Sequence, residues 1–239
     1  MKRVAALILG AAVVLGTSPA GAAYQAVEVK DGGSISGTVK VSGAAPAVKA
    51  IEVTKDKEVC GKSGKLVEEA LLVGPKGGVQ YAVVSLTDIA KGKKWGSEKF
   101  TFDQKNCRFN PHVLVVKAGA LVDILNSDGI LHNIHTFSTK NAAFNVAMPK
   151  FKKKLDRTFA APEIIRAACD AHSWMSGWIV VSDSPYTVVT DADGNFRLEN
   201  VPPGTYKVEV WHEKLGKVTK EVTVKAKEET KLGVELAAK

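Results

Sequence analysis

From residue 34 onward the apolar positions of the chain alternate with polar ones far more than they recur every third or fourth residue. Ser34-Ile35-Ser36-Gly37-Thr38-Val39-Lys40-Val41 alternates in character and stops at Ser42-Gly43. Val79 to Leu86 is a β-rich run that follows Gly77-Gly78, and Val113 to Val116 and Leu121 to Leu125 are split by Lys117-Ala118-Gly119. Arg157-Thr158-Phe159, Glu163 to Ala167 and Trp178 to Ser182 continue the series. A period of two over short runs, with turn residues between them, predicts many strands folded into a sandwich or barrel. The helical period is scarce. Leu66 to Leu72 is predicted as a short helix.

A second set of strands follows Asp183. Tyr186 to Thr190 and Phe196 to Leu198 flank Asp191-Ala192-Asp193-Gly194, a hairpin turn in which Gly supplies a positive φ. Val201-Pro202-Pro203-Gly204 is another turn. Tyr206 to Val210, Val218 to Val224 and Leu232 to Leu236 complete a small antiparallel unit. Asp191-x-Asp193-Gly194 lacks the third acidic position and the terminal Glu of an EF-hand loop, so it reads as a plain turn.

The first residues read differently. Lys2 and Arg3 precede the apolar run Val4 to Leu15, Pro19 breaks it, and Ala20-Gly21-Ala22 has the small-x-small form of a cleavage site. Residues 1–22 are expected to be a signal peptide, and the mature chain to be periplasmic or secreted without a stable membrane anchor. At 239 residues, with 45% hydrophobic and 24% charged residues, the composition is that of a globular protein of one or two domains. Removing Lys2 and Arg3 leaves 31 basic against 25 acidic residues. That modest excess favours acidic protein partners, and no helix-turn-helix, zinc finger or RNA-binding motif points to nucleic acid.

Three cysteines in an exported chain leave one for other work. Cys60 and Cys107 lie in turn-like settings, so a Cys60–Cys107 disulfide with Cys169 held as a thiolate by a metal is the economical arrangement. A bridge that uses Cys169 is the alternative. Cys169-x₂-His172-x₂-Met175 gathers thiolate, imidazole and thioether on one tight loop between strands. These are ligands of a trigonal His₂Cys site with a weak axial Met, which suits copper. Zinc prefers four closed Cys/His ligands or three plus water, and iron–sulfur clusters need more cysteines. The second His is sought in Asn126 to His135, which leaves a strand through a polar turn and offers His132 and His135. In a strand His132 shares a face with Ile134, and His135 shares the other with Asn133. That makes His132 the ligand and His135 its neighbour. His112 and His212 read as structural histidines.

These residues carry a resemblance. Asn126, then His132-Asn133-Ile134-His135-Thr136-Phe137, is similar to the His-Asn-Val-His-Phe motif of cupredoxins, blue copper proteins of the plastocyanin and amicyanin kind. Cys169-Asp170-Ala171-His172-Ser173-Trp174-Met175 resembles their short ligand loop. The resemblance implies a Greek-key sandwich, one copper ion held by His132, Cys169, His172 and Met175, and an Asn126 that ties the two ligand loops together. Thr190 to Phe196 with Val201 to Tyr206 resembles carboxypeptidase regulatory-like (transthyretin-like) domains, and Ser36-Gly37-Thr38-Val39 looks like the first strand of that module. An all-β fold is therefore expected. It would comprise a β segment over 23–75, a cupredoxin sandwich over 76–183 and a small prealbumin-like sandwich over 184–239, with 23–75 able to supply first strands to a discontinuous small domain.

One-electron transfer is the expected function, copper cycling between Cu(I) and Cu(II) without substrate turnover. A copper carrier or store, and a structural or carbohydrate-binding module, are the alternatives. His172 is expected to be the edge nearest solvent and the electron port, with Pro111, Ile130, Met148 and Trp174 as an apolar docking rim. Lys150, Lys152, Lys153 and Lys154 form the densest basic run and are expected to steer an acidic redox partner, a cytochrome or a dehydrogenase.

Overall fold

The protein is described here by a computed structural model covering residues 23–237. The expected signal peptide, residues 1–22, lies outside the described residues. Among the described residues the fold is all-β but for one short helix and the 3-10 turn Gly61–Ser63 that continues it. In order come β1 (Gln25–Ala26), β2 (Gly33–Ser42), α1 (Lys57–Cys60), β3 (Val83–Leu86), β4 (Lys91–Gly92), β5 (Phe100–Lys105) and β6 (Arg108–Asn110). Then follow β7 (Val113–Lys117), β8 (Leu121–Asn126), β9 (His132–Phe137), β10 (Asn145–Met148), β11 (Lys154–Thr158), β12 (Glu163–Ala168) and β13 (Ser176–Ser182). The tail holds β14 (Thr187–Val189), β15 (Asn195–Val201), β16 (Gly204–His212), β17 (Gly216–Val224) and β18 (Glu229–Ala237).

Two sandwiches form. The larger pairs the sheet β10-β9-β12-β13-β7 with the sheet β11-β8-β5-β6, and the smaller pairs β14-β3-β16-β17 with β15-β2-β18. The alternation seen in the sequence is what fills the larger core. Val122, Ile124 and Asn126 of β8 point inward, as do Ile134 of β9, Ile165 of β12 and Ile179 of β13. Phe102 and Phe109 stack across them with ring centroids 4.8 Å apart. The smaller core is built from Ile35, Val39, Val84, Tyr186, Leu198, Val208, Val210 and Val234. Gly194 closes the β14–β15 turn at φ 77°, and a Cβ there would lie 2.4 Å from the Val39 carbonyl oxygen. Asp191 accepts the Asp193 and Asn195 amides through Oδ1, so this turn is an Asx turn.

Two expectations are corrected. Val83–Leu86 pairs with β14 and β16, so these residues belong to the smaller sandwich rather than to the larger one. Alternation marks a strand but not its partners, and Tyr81 at φ 64° turns the chain before β3 starts. Leu66 to Leu72 is not a helix. Ile51 N–H donates to Leu66 O and Glu68 N–H to Lys49 O, so the segment lies extended against residues 49–51, with Leu66 buried in the larger core. Seven residues are too few for a helix to persist without its own packing face.

A third cluster, Val83, Val113 and Val180 with Trp178 edge-on to Trp211 at 4.9 Å, joins the sandwiches. His112 sits there with Nε2 2.5 Å from Glu213 Oε1, and His212 Nδ1 accepts the Lys214 amide. Both side chains are buried and hydrogen-bonded within the fold.

At the opposite end of β12 from its ligand loop, Glu163 gathers the loop before β10. Its carboxylate accepts the amides of Thr139, Lys140 and Asn141 and the hydroxyls of Ser138 and Thr139. Burial raises its pKa, but these donors outweigh it and hold the carboxyl well below the usual range. A depressed folded-state pKa adds stability above the unfolded value, near 4.5, that is lost as pH falls. Glu163→Gln is expected to cost on the order of 1 kcal/mol at pH 7, since solvent screens the exposed part of the cluster. Urea titrations should show the gap to the parent protein narrowing from pH 6 to pH 2; a constant gap would contradict it.

Candidate metal centre

One end of the larger sandwich carries the loops β8–β9, β12–β13, β5–β6 and β10–β11. β12 ends at Ala168, and the next seven residues make a closed loop: Cys169 N–H donates to Met175 O at 3.1 Å and Met175 N–H to His172 O at 2.9 Å. Cys169, His172 and Met175 are all buried by it. β9 opens with His132, which continues the inward row of Ile134 and is fully buried, whereas the His135 side chain is a third exposed. The sheet therefore delivers His132 to the ligand loop. Its Nδ1 is 3.0 Å from His172 Nδ1, and Cys169 Sγ lies 3.8 Å from the first and 3.7 Å from the second.

Those three atoms fit a metal ion. The centre of their triangle is roughly 2 Å from each corner, close to first-row metal–nitrogen distances of ~2.0–2.1 Å and a little short of the ~2.3 Å to thiolate. Both histidines turn Nδ1 inward because a carboxylate holds each Nε2. Asp128 Oδ2 is 2.9 Å from His132 Nε2, and Asp56 Oδ2 is 2.8 Å from His172 Nε2. Such carboxylate partners fix the ring orientation and raise ligand basicity.

Protonation agrees with that role. Burial disfavours the His132 imidazolium, yet Asp128 and the Cys169 sulfur outweigh it and its pKa is raised to about 9. Burial also pushes the Cys169 thiol up, but the hydrogen bonds from His132 and from the Asn133 and His172 amides win and lower it. Burial lowers the His172 pKa and the charge on His132 adds to it, and together they outweigh the Asp56 carboxylate that pulls it up, so His172 is neutral. A thiolate and neutral imidazole are the forms a metal takes up, displacing the His132 proton.

The support for this centre was largely invisible in the sequence. Cys60 and Cys107 form the disulfide, and Cys169 is the free cysteine. Cys107 then serves both histidines. Asn106 and Cys107 lie at φ 56° and 53°, which aims both amides at the Asp128 carboxylate behind His132. The Cys107 carbonyl accepts Trp174 Nε1–H of the ligand loop at 3.2 Å. Its bridge anchors α1, whose N-cap is Asp56. Asn133 links the two ligand loops: its Oδ1 accepts the Asp170 and Ala171 amides, and its own amide points at Cys169 Sγ from 3.5 Å.

That reassigns one role. Asn126, expected to tie the ligand loops together, instead donates Nδ2–H to Ile130 O and Met148 O, and so holds the β8–β9 loop to the end of β10. Three surface expectations also change. His172 is not the edge nearest solvent, because Asp56 covers it. Met148 is not a rim residue: it pairs with His132 across β9–β10, is fully buried and accepts Gln104 Nε2–H through sulfur. Lys154 is on β11 with its ammonium on Asp123 and Asp156, so it is spoken for. Trp174 is half-buried with its ring 5.1 Å from His172. His135 faces away, bonded to Asp170 and stacked on Phe137.

Comparisons with known proteins add the following. The family model of the carboxypeptidase regulatory-like domain matches residues 179–237. No curated protein matches the chain. Among solved structures, the chain is similar to a Cu-containing nitrite reductase (NirK) from Thermus scotoductus SA-01 at 21% identity and TM-score 0.33, over 38% of this chain and 24% of that one. The reduced Cu(I) form of an amicyanin point mutant is similar at 24% identity and TM-score 0.33, over 37% of this chain and 87% of that one. A purple cupredoxin from Nitrosopumilus maritimus is similar at 19% identity and TM-score 0.31, over 35% of this chain and all of that one. The chain thus spans about a quarter of the nitrite reductase.

Replacement of each histidine tests the face argument. His132→Ala is expected to abolish metal binding at this centre, and His135→Ala to leave metal affinity and the visible spectrum of the loaded protein unchanged. Equilibrium dialysis of both variants checks it. The reverse pattern would exchange the two residues.

Proposed function

We propose that the protein is an exported type 1 copper protein that passes single electrons between redox partners. His132, Cys169 and His172 would hold the ion, with the buried Met175 of the same loop as a weaker fourth donor. The observation that carries this reading is the convergence of three buried donors, with both imidazoles oriented from behind by carboxylates. Copper would supply a one-electron couple. The protein's part is to hold the donors in a geometry that suits both oxidation states, with sheet strands on two sides and the disulfide on a third. Low reorganisation would follow from that rigidity, and the buried Cys169 sulfur and Met175 would tune the potential.

A closed, carboxylate-backed site favours electron transfer over storage or delivery, which need the ion to exchange. The expected leader and the Cys60–Cys107 bridge both support an oxidising compartment, periplasmic or extracellular. Voltammetry of the copper-loaded protein tests the reading: a reversible one-electron wave supports it, and an electrochemically silent or irreversibly lost ion would overturn it.

A further inference from the structure

Neither histidine edge of the metal centre reaches solvent. His172 and His132 are both fully buried, and their Nε2 atoms are taken by Asp56 and Asp128. A partner that approached over His172 would meet a carboxylate first. What surfaces beside the centre is a shoulder made of the loop 127–131 and the turn 149–153. They lie side by side, because the Asn126 side chain donates to Ile130 O and Met148 O while its backbone amide donates to Lys153 O at 3.0 Å.

Leu131, next in sequence to His132, is 48% exposed, and Phe151 is 85% exposed. Single exposed apolar residues need no explanation. Here two of them share one shoulder of a buried redox centre, and the turn that carries Phe151 also carries Lys150, Lys152 and Lys153. None of these three ammoniums has a carboxylate partner among the described residues, in contrast to Lys154. Apolar contact inside a collar of free positive charge suits a small, transient, electrostatically steered interface.

We propose that the Leu131–Phe151 shoulder, with Lys150, Lys152 and Lys153, is the docking surface for an acidic one-electron redox protein, in place of the closed His172 edge. The proposal rests on the copper reading above. The step is the transfer of one electron from the reduced partner to the oxidised centre, Cu(II) becoming Cu(I), with no bond formed or broken and no proton moved. Encounter is steered by the lysines, and the route inward runs from Leu131 to the adjoining His132.

Two anionic probes and a cationic control test it. Redox-inert hexacyanochromate(III) added to ¹⁵N-labelled chain broadens amides where a trianion lingers. The amides of residues 130, 131 and 150–153 should broaden first, at low salt, while those of 55–57 on the His172 side stay sharp. Stopped-flow oxidation of the Cu(I) protein by hexacyanoferrate(III) should slow roughly tenfold or more in a Lys150→Glu, Lys153→Glu double variant. It should slow far less in Lys55→Glu, Lys57→Glu, and oxidation by a cationic cobalt(III) complex should not slow in either. Broadening centred on 55–57, or a larger kinetic loss in the variant of Lys55 and Lys57, would overturn the proposal. The relaxation map needs no copper. A colourless protein with a broadened Phe151 would therefore sink the copper reading alone, leaving the shoulder as an anion-docking face.

Discussion

Cys169→Ser is expected to remove the visible thiolate-to-copper absorption completely and to lower Cu(II) affinity by more than the ~10–100-fold that loss of a supporting residue costs. The sulfur is the only thiol left in the described chain once Cys60 and Cys107 are bridged. It is also the corner that makes the donor triangle: without it, two imidazoles 3.0 Å apart remain, each still held by its carboxylate. A hydroxyl neither ionises near neutral pH nor matches the softness of Cu(I), so both oxidation states lose their anchor. The fold should survive, because Cys169 and Ser differ little in volume and the loop is closed by backbone bonds of its own. Isothermal titration with Cu(II) and a thermal melt of the metal-free variant separate the two effects.

The double substitution Cys60→Ala, Cys107→Ala is expected to cost about 4 kcal/mol of folding stability, from the loop entropy of a bridge that spans 47 residues. Its effect should not stop at stability. The bridge pins α1, whose N-cap Asp56 backs His172, onto the β5–β6 turn, whose Asn106 and Cys107 amides hold Asp128 behind His132. Releasing it loosens the second partner of both histidines at once. Copper affinity is therefore expected to fall a further ~10–100-fold under conditions in which the variant is fully folded. Denaturation curves give the first quantity and competition with a chelator below the melting range gives the second. A variant that is destabilised but binds copper unchanged would show that the bridge serves the fold alone.

The parts of this picture that were legible in the sequence are the local ones. Cys169, His172 and Met175 fall within seven residues between two strands, so spacing alone brings them together. His132 was separable from His135 because a strand's period of two assigns faces without any tertiary knowledge. Most of the strands were legible for the same reason. Phe100–Lys105 was missed because its second inward residue is Gln104, fully buried and bonded to Leu125 O and Met148 Sδ, which breaks the apolar alternation. Asp56 was out of reach: it lies 116 residues from His172, in an irregular segment with no pattern of its own. Asn126 and Asn133 illustrate a subtler limit. Both are buried asparagines near His132, and only the positions of the two loops decide that Asn133 links them while Asn126 serves β10. The sequence places Met148 at the surface and leaves Lys154 free, because neither a buried sulfur acceptor nor an ion pair across strands leaves a mark in it: Met148 is buried, and Lys154 is exposed but paired with Asp123 and Asp156.

Whether Cys169, His132 and His172 form one copper site is decided by a titration of the metal-free chain with Cu(II), followed by visible absorption. The expected result is an intense thiolate-to-copper band that grows to one equivalent per chain and then stops, and that never develops once Cys169 has been alkylated in the unfolded chain before refolding. Copper uptake without such a band, or a band that persists after Cys169 is blocked, would contradict it.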